Sequence, residues 1–417
     1  MRQMRDEATR PETATPLAGN AMSAAALLAP PVAVFAPLGM APLLALLAVM
    51  LLAVNPRQAA ASIKSQATLG ALLALLSLWS AVTSLWSPIP AHSLFEAVRF
   101  ALISIAGLVV LGAAGALTGP AAWRLGRALA IGIAAAMILL QLERWGGKPV
   151  WHVLHGGQFD RYAPLAIYDR GVTVLLLAAW PATAVLAARR NMTALIIGIL
   201  AVGVTLLEFK SQTAILAAAF GIVVALAAWW LPRSIAALMV ASVLLLVTVL
   251  PLLTPAGSRI EQIRQDAPGL KTSAIHRLVI WRFVADRIAD RPLLGWGMDA
   301  SRAIPGGEAQ ASEVMPEVKL PPGATVLPLH PHDAALQWRL ELGLPGGLLC
   351  VVVLGLVLGR IAANRQIPPA QRALALGYAA GVLTIAMLSF GAWQAWWLST
   401  VWLTASFFTA AQPSAAT

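Results

Sequence analysis

Apolar runs long enough to cross a bilayer constrain this chain more than any other feature. The stretch "ALMVASVLLLVTVL" at 237–250 carries no charge, and it is one of many. A run of about 18 or more apolar residues reads as a membrane-spanning helix, because a helix satisfies its own backbone N–H and C=O groups where no water is present. Twelve candidate spans, some of them shorter, can be marked at roughly 21–38, 40–54, 67–86, 94–117, 127–142, 171–188, 193–207, 211–231, 234–252, 344–361, 371–391 and 393–411. They are continuous and show no period-two alternation, which argues against a β-barrel. Charged residues make up 11% of the 417, against about 25% in a soluble domain, too few to cover a water-soluble surface. The expected architecture is all-α: a polytopic transmembrane bundle of about 12 spans, with one large outer loop that contains amphipathic helices. The first two segments are the least regular. "APP" at Ala29–Pro31 could kink the first, and the pair could form one hairpin or a single tilted element.

The net charge of +11 points to the membrane rather than to nucleic acid, since the basic residues are scattered between apolar segments. With the N-terminus inside, one side holds Arg2, Arg5, Arg10, Arg57, Lys64, Arg124, Arg127, Arg189, Arg190, Arg233, Arg360, Arg365 and Arg372. The short loops of the other side hold Arg144, Lys148, Arg161, Arg170 and Lys210. This asymmetry places both termini in the cytoplasm. It also puts His92, His152, His155, His276, His330 and His332, and every acidic residue beyond the N-terminal tail, on the outer side. The chain then divides into a polar tail (1–20), an N-terminal bundle (21–252), a large outer loop (253–343) and C-terminal spans (344–417). No cleavable signal stands out in the polar first 20 residues. Cys350 lies in an apolar run and reads as a small buried hydrophobe.

Two outer segments depart from ordinary loops. Residues 143–170 mix Trp145, Trp151, Phe159, Tyr162 and Tyr168 with Arg161 and Arg170; an interfacial aromatic belt is the bland account. Residues 253–343 contain "SAIHRLVIWRFVADRIADRPLLGWG" (273–297), in which Leu278, Trp281, Ala285 and Ile288 recur at helical spacing. That spacing predicts an amphipathic helix on the outer membrane surface or across a cavity mouth, ended by "DRPLLGWG".

Within this loop "HPHDAALQWRLELGLPGG" (330–347) stands out. Asp333 can cap a helix starting at Ala334, and Gly343 and Pro345 fit its end, so His330 and His332 sit at the mouth of a helix. An imidazole there can take or orient a hydroxyl proton; equally, it can simply pack a helix start. Arg170, Arg277, Arg282 and Lys210 fall on the same side, and a guanidinium matches phosphate oxygens. Several cations near a histidine suit a pyrophosphate leaving group, while snorkelling to lipid headgroups is the alternative for each. No phosphate loop, H-E-x-x-H helix or Cys/His ligand cluster is present, so neither metal nor cofactor is expected; "HVLH" (152–155) is too sparse for zinc. Glu96 with Arg99 reads as an i,i+3 ion pair.

These motifs resemble the O-antigen ligase and O-antigen polymerase superfamily. That family carries a histidine, a polar residue, nine positions and then Gly-x-x-Gly; here His332 and Asp333 are followed by nine residues, Gly343 and Gly346. Asp333 departs from the family's Asn, Ser or Gln, keeping a cap and adding a charge. "HRLVIWRFVADRIADRPLLGWG" (276–297) resembles the family's arginine–tryptophan segment, which makes Arg277 the counterpart of its outer-loop arginine. "YDRGVTVLLLAAWP" (168–181) resembles a span start with another functional arginine, here Arg170. "FKSQTAILAA" (209–218) has Gln212 where that family has arginine, with Lys210 two residues earlier.

The resemblance implies a metal-independent, inverting glycosyltransferase at the periplasmic face of the bacterial inner membrane. Its donor would be a glycan on undecaprenyl diphosphate and its acceptor lipid A–core. His332 and Arg277 would be catalytic; Arg170, Lys210, Arg282 and Arg161 would hold the diphosphate; Asp333, Gly343, Gly346 and His330 would support the motif. A polymerase that uses a lipid-linked repeat unit as acceptor shares these motifs. A transporter or an envelope-assembly scaffold is the reading from another class, and polar residues crowded at one face rather than at mid-membrane count against a transporter.

Overall fold

The computed structural model describes residues 15–154 and 165–411. Among them the chain is all-helical, with one isolated bridge between Gln310 and Thr325. The helices are α1 (Pro16–Phe35), α2 (Met40–Val54), α3 (Pro56–Ser65), α4 (Ala67–Thr83), α5 (Pro90–Gly115), α6 (Gly119–Gly146), α7 (Pro149–Leu154), α8 (Asp169–Ala188), α9 (Met192–Phe209), α10 (Gln212–Trp230), α11 (Pro232–Thr248), α12 (Leu250–Leu253), α13 (Gly257–Asp266), α14 (Thr272–Asp290), α15 (Ala311–Val314), α16 (Ala334–Ala363), α17 (Pro369–Leu388) and α18 (Ala395–Ala410). Ten are long and apolar enough to cross a membrane, counting the short 3₁₀ turns that extend some of them. The 17-residue α11 and 16-residue α18 are shorter apolar helices, and with them the helices correspond to the twelve segments. The protein is a multi-pass membrane protein.

Proline marks many helix starts. Pro16, Pro56, Pro90, Pro232 and Pro369 each open a helix, where the missing N–H would be unsatisfied in any case. The apolar segments therefore begin late: the segment at 94–117 is a helix from Pro90, and the one at 127–142 is a helix from Gly119 to Gly146. α1 and α2 form a packed pair of separate helices, and α1 runs through Pro30 and Pro31. Those prolines cannot bond Ala26 O and Leu27 O, and α6 lies against these carbonyls: a Cβ on Gly132 would meet Leu27 O at 2.4 Å. The short helix α3 has no counterpart among the expected segments. Asn55 caps it, accepting from Gln58 N at 3.0 Å, and its buried Ser62 packs on Gly112 of α5.

The spans differ in how far they face lipid. In α9 only 17% of the apolar window is buried, and Ile196, Ile197, Leu200, Val204 and Leu207 point outward. The window that includes α8 is 72% buried, which makes α8 the central helix. Its first turn holds Asp169, half-buried, and Arg170, exposed.

The segment between α12 and α16 folds into a cap with its own core. Ile260, Ile275, Val279, Phe283, Val284 and Ile288 pack with Trp296, Ile304, Val326 and Leu327, and with Leu336 and Leu340 of α16. The expected amphipathic helix is present: of its predicted stripe Ala285 and Ile288 are buried, and Leu278 and Trp281 pack on the edge of the same core. The buried stripe of α14 runs through Ile275, Val279, Phe283 and Ile288, while Leu278 and Trp281 are only half-buried. The stripe packs against protein, in the cap and on the first turns of α16, rather than lying along a membrane surface.

Candidate functional site

The site begins with a broken helix. Inside α16, Gly343 has φ 67° and ψ −169°, so residues 334–342 form a short helix and the long span follows the kink. Pro345 offers no N–H to Glu341 O, and the break frees the neighbouring carbonyls. The cap and the span α4 supply the missing donors. Trp296 N donates to Leu340 O at 2.9 Å, Gly297 N to Glu341 O at 2.8 Å and Trp79 Nε1 to Leu342 O at 2.9 Å. The approach is close: a Cβ on Gly343 would fall 1.9 Å from Leu293 O, and one on Gly346 would strike the indole of Trp79. The "PLLGWG" strip and the Gly-x-x-Gly motif are thus two halves of one contact.

The short helix carries a polar stripe at every fourth position, Asp333, Gln337 and Glu341, all buried. Asp333 caps it, Oδ1 accepting from Leu336 N at 2.8 Å. Burial pushes the Asp333 carboxyl up to about 7, against the backbone N–H bonds that favour its anion. The charge that sets Asp333 apart from a neutral cap is therefore only partly present near neutral pH. Glu341 accepts from Ser301 Oγ, from Asp299 N at 2.8 Å, from Gln337 Nε2 at 3.1 Å and from Trp393 Nε1 at 2.6 Å. Gln337 Oε1 in turn accepts from Ala392 N at 2.8 Å. A buried carboxylate is tolerated when its lone pairs are filled, and here they tie the cap to the loop between α17 and α18. The sequence reading missed Glu341 and this loop. An acid and a glutamine at helical spacing in a chain poor in charge were the available signal.

His332 sits at φ +55°, a conformation rare for a residue with a Cβ. Three contacts hold it there. Its N–H donates to His330 Nδ1 at 3.2 Å, its ring Nδ1 lies 2.7 Å from Ser389 O, and its ring stands 4.3 Å from that of His330. A carbonyl only accepts, so Nδ1 carries the proton and Nε2 keeps its lone pair. Burial lowers the His332 pKa, as do Arg277 and His276, while the bond to Ser389 opposes them. His330 is buried against Gly391 and is pushed down to about 3 by burial, by His332, and by Arg170 and Arg277. Both imidazoles are accordingly neutral at pH 7.

The arginines that act on this pair come from two elements. Arg277 is on α14, the helix whose Trp281 Nε1 donates to Pro331 O at 3.0 Å and whose His276 Nε2 donates to Thr325 O at 2.7 Å. Burial lowers its pKa and Asp169 opposes the shift, and it makes no hydrogen bond or ion pair among the described residues. Arg170, on the first turn of α8, lies over the Trp396 ring at 5.6 Å. Trp396 packs on Phe390, next to the carbonyl that holds His332. The fold thus brings together His330, His332, Arg170 and Arg277, which are up to 162 positions apart (332 minus 170).

The other candidates are placed differently. Arg282 is tied to Asp286 at 2.5 Å. Lys210 is an exposed left-handed cap at the end of α9, where Glu208 accepts from Gln141 Nε2 at 2.6 Å and its carbonyl from Arg144 at 2.8 Å. Its neighbour Phe209 packs edge-on against Tyr168, two residues before Arg170. Tyr168 OH and the N–H groups of Val150 and Trp151 all donate to the buried Glu143, which anchors both ends of the 143–170 segment. Arg161 and His155 lie outside the described residues. Glu96 pairs with Arg99 as the spacing suggests. Folding also brings in His92 and Asp299, whose side chains meet at 2.9 Å, and donor atoms of His92, Glu96 and Asp299 lie within 4.8 Å of one another. Arg99 and His92 already serve these two carboxylates.

Residues 197–351 match the O-antigen ligase family model, a range that takes in the arginine helix, the histidines and the kink. A Rickettsia conorii protein named as a candidate polysaccharide ligase is 36% identical over 134 residues, 31% of this chain and 30% of that protein. One from Rickettsia prowazekii, similarly named, is 39% identical over 132 residues, 31% of each chain. These matches span about a third of the relatives' lengths. A Rickettsia bellii protein of the same name is 27% identical over 332 residues, covering 78% of this chain and 76% of its own. With a multi-span helical fold and the motif residues gathered at one end of it, the chain is similar to the O-antigen ligase superfamily over residues 197–351.

Proposed function

We propose that this protein is a glycosyltransferase that moves a glycan from undecaprenyl diphosphate to lipid A–core at the periplasmic face of the inner membrane, with both termini cytoplasmic. The observation that carries the reading is the tautomer of His332. With Nδ1–H given to Ser389 O, Nε2 is the free basic atom, next to two arginines whose charge no described carboxylate neutralises at bonding distance.

In the proposed reaction the acceptor hydroxyl attacks the anomeric carbon of the donor sugar. Its proton passes to His332 Nε2 as the new C–O bond forms. The bond from that carbon to the diphosphate breaks, and the electron pair leaves with the diphosphate. A single displacement inverts the anomeric centre. Arg277 and Arg170 meet the negative charge that grows on the leaving group, a role for which fixed cations in a water-poor site are suited. They would supply the positive charge that many diphosphate sites draw from a metal. Lys210 and Arg161 are proposed to extend the anion surface, and Arg282, held by Asp286, to contribute less.

The test is reconstitution of the full chain in liposomes with an undecaprenyl-diphosphate oligosaccharide, lipid A–core and excess chelator, comparing wild type with His332→Ala. Sugar on lipid A–core, lost in the variant, is the expected result. Sugar lengthening on the carrier lipid instead would make the protein a polymerase. Unchanged transfer by His332→Ala would remove the histidine from the chemistry, and no product with the cognate glycan would favour a non-enzymatic role.

A further inference from the structure

At the end of the bundle away from the histidines, α10, α11, α16 and α17 meet as a four-helix group. Small and apolar residues seal its interior, among them Val224, Ala228, Ala236, Met239, Leu358 and Leu376. Beyond that seal is a cavity of about 330 Å³, lined by Trp230, Arg233, Ser234, Ala362, Arg365 and Arg372. Two helix junctions converge here: α10 to α11, and α16 to α17.

The lining holds three cations and no carboxylate. None of the three arginines takes part in an ion pair among the described residues. Arg372 Nη1 donates to Asn364 O at 3.1 Å, while its Nε is buried without a partner. Three like charges around one small cavity repel one another, and an anion with several oxygens would relieve this while accepting from the guanidinium forks. The cavity stands near the lower end of the ~300–1,000 Å³ typical of small-molecule sites, a headgroup's size rather than a whole lipid's. Outside it, Val223, Leu226, Trp229, Trp230 and Leu231 are all more than half exposed, an apolar strip that faces lipid. Headgroup cavity and acyl-chain strip are continuous through Trp230.

We propose that this cavity binds the headgroup phosphate of an anionic phospholipid, whose acyl chains lie along the Val223–Leu231 face of α10. The occupant is thus a membrane lipid at the end opposite the histidines. The site is independent of the glycosyl-transfer reading, and its test does not use transfer as a readout.

The full chain would be purified in a neutral detergent. Its thermal midpoint would be followed with added phosphatidylglycerol, phosphatidylcholine or inorganic phosphate, and bound lipid counted by native mass spectrometry. Phosphatidylglycerol should raise the midpoint by several degrees more than phosphatidylcholine, through preferential binding to the folded state. Bound phosphatidylglycerol should fall about tenfold in Arg233→Gln/Arg365→Gln, the loss of roughly 1.4 kcal/mol of binding. Equal retention of the two lipids, or a shift that survives in the variant, would overturn the proposal. A shift reproduced by inorganic phosphate alone would make this a free-anion site and overturn the lipid assignment. Should the double variant fail to fold, competition between the two lipids on the wild type decides the question.

Discussion

The helix break at Gly343 can be tested by a single methyl group. Gly343→Ala has two consequences that add. The residue would have to hold φ 67° and ψ −169°, a region reached almost only by glycine, at a cost of about 1–3 kcal/mol. Its Cβ would also fall 1.9 Å from Leu293 O, a backbone atom that cannot swing aside, so the 293–297 strip must lift. Lifting it breaks Trp296 N to Leu340 O and Gly297 N to Glu341 O, each worth about 1 kcal/mol. Together these give about 3–5 kcal/mol. For a chain of this length that corresponds to a fall in thermal midpoint of roughly 3–6 °C. The control lies in the same helix: Gly359 has open space around its Cβ position, so Gly359→Ala should be neutral or slightly stabilising. Thermal unfolding of detergent-purified protein reads the first effect. Limited trypsin cleavage at Arg287 or Arg302 reads the lifting of the cap directly. Equal midpoints and equal cleavage for Gly343→Ala and Gly359→Ala would refute the idea that the glycine motif exists to dock the cap.

The remaining predictions concern the polar stripe and the arginines. Glu341→Ala strands the buried donors of Ser301, Gln337 and Trp393, at about 1–3 kcal/mol for each group left unpaired; it should lower the midpoint more than Glu341→Gln, which keeps one acceptor oxygen. Asp333 is raised to about 7 from an ordinary 3.8, so the folded state binds its proton more tightly and Asp333 costs stability as pH rises through that window. Asp333→Asn should therefore gain on wild type by about 1.4 kcal/mol per pH unit between roughly pH 4 and 7, with little difference at pH 4; denaturant midpoints compared across pH would show a flat difference if the carboxyl is not perturbed. Arg277→Ala should cut transfer by about 100-fold or more, as removal of a charge-stabilising group does. Arg282→Ala should change it by less than about threefold, because it removes a half-exposed pair worth about 0.3–0.5 kcal/mol, and initial rates that ranked the two the other way would reverse their assignments.

What could be read from the residues was what depends on local pattern. Apolar length marked the spans, and the Asp333 cap and Gly343 stop marked a nine-residue helix. Proline at helix starts was present but unused, so segments such as 94–117 began a turn late. On α14 the spacing finds Ala285 and Ile288, but Leu278 and Trp281 look as apolar as Val279 and Phe283, and only the cap's tertiary packing shows that the latter two are the more buried. The residues that hold the site were hidden for a different reason. Ser389, Gly391 and Trp393 contribute a carbonyl, a missing side chain and an indole N–H to partners more than 50 positions away, and none of these has a sequence signature. The nearness of Arg170 to the histidines likewise follows from α8 being central, which its composition does not reveal.

The arrangement explains why a histidine at a strained φ can be held at one end of a helical membrane protein. A positive φ with a Cβ persists only where its surroundings over-determine it. His332 is fixed from three directions: by His330 on its own chain, by Ser389 beyond the central helices, and by the capped helix that starts at the next residue. That helix is fixed in turn at its far end, where the kink's open carbonyls are filled by the cap, and along its length by Glu341. Arg277 belongs to the same cap, and Arg170 leans on Trp396 in the first turn of α18, which packs on Phe390 next to the carbonyl that holds His332. One set of contacts therefore sets both the imidazole and the two guanidiniums. Loosening any part of it, the glycine kink included, should misplace the proposed base and the proposed anion-binding charges together, so that stability and transfer fail in step rather than independently.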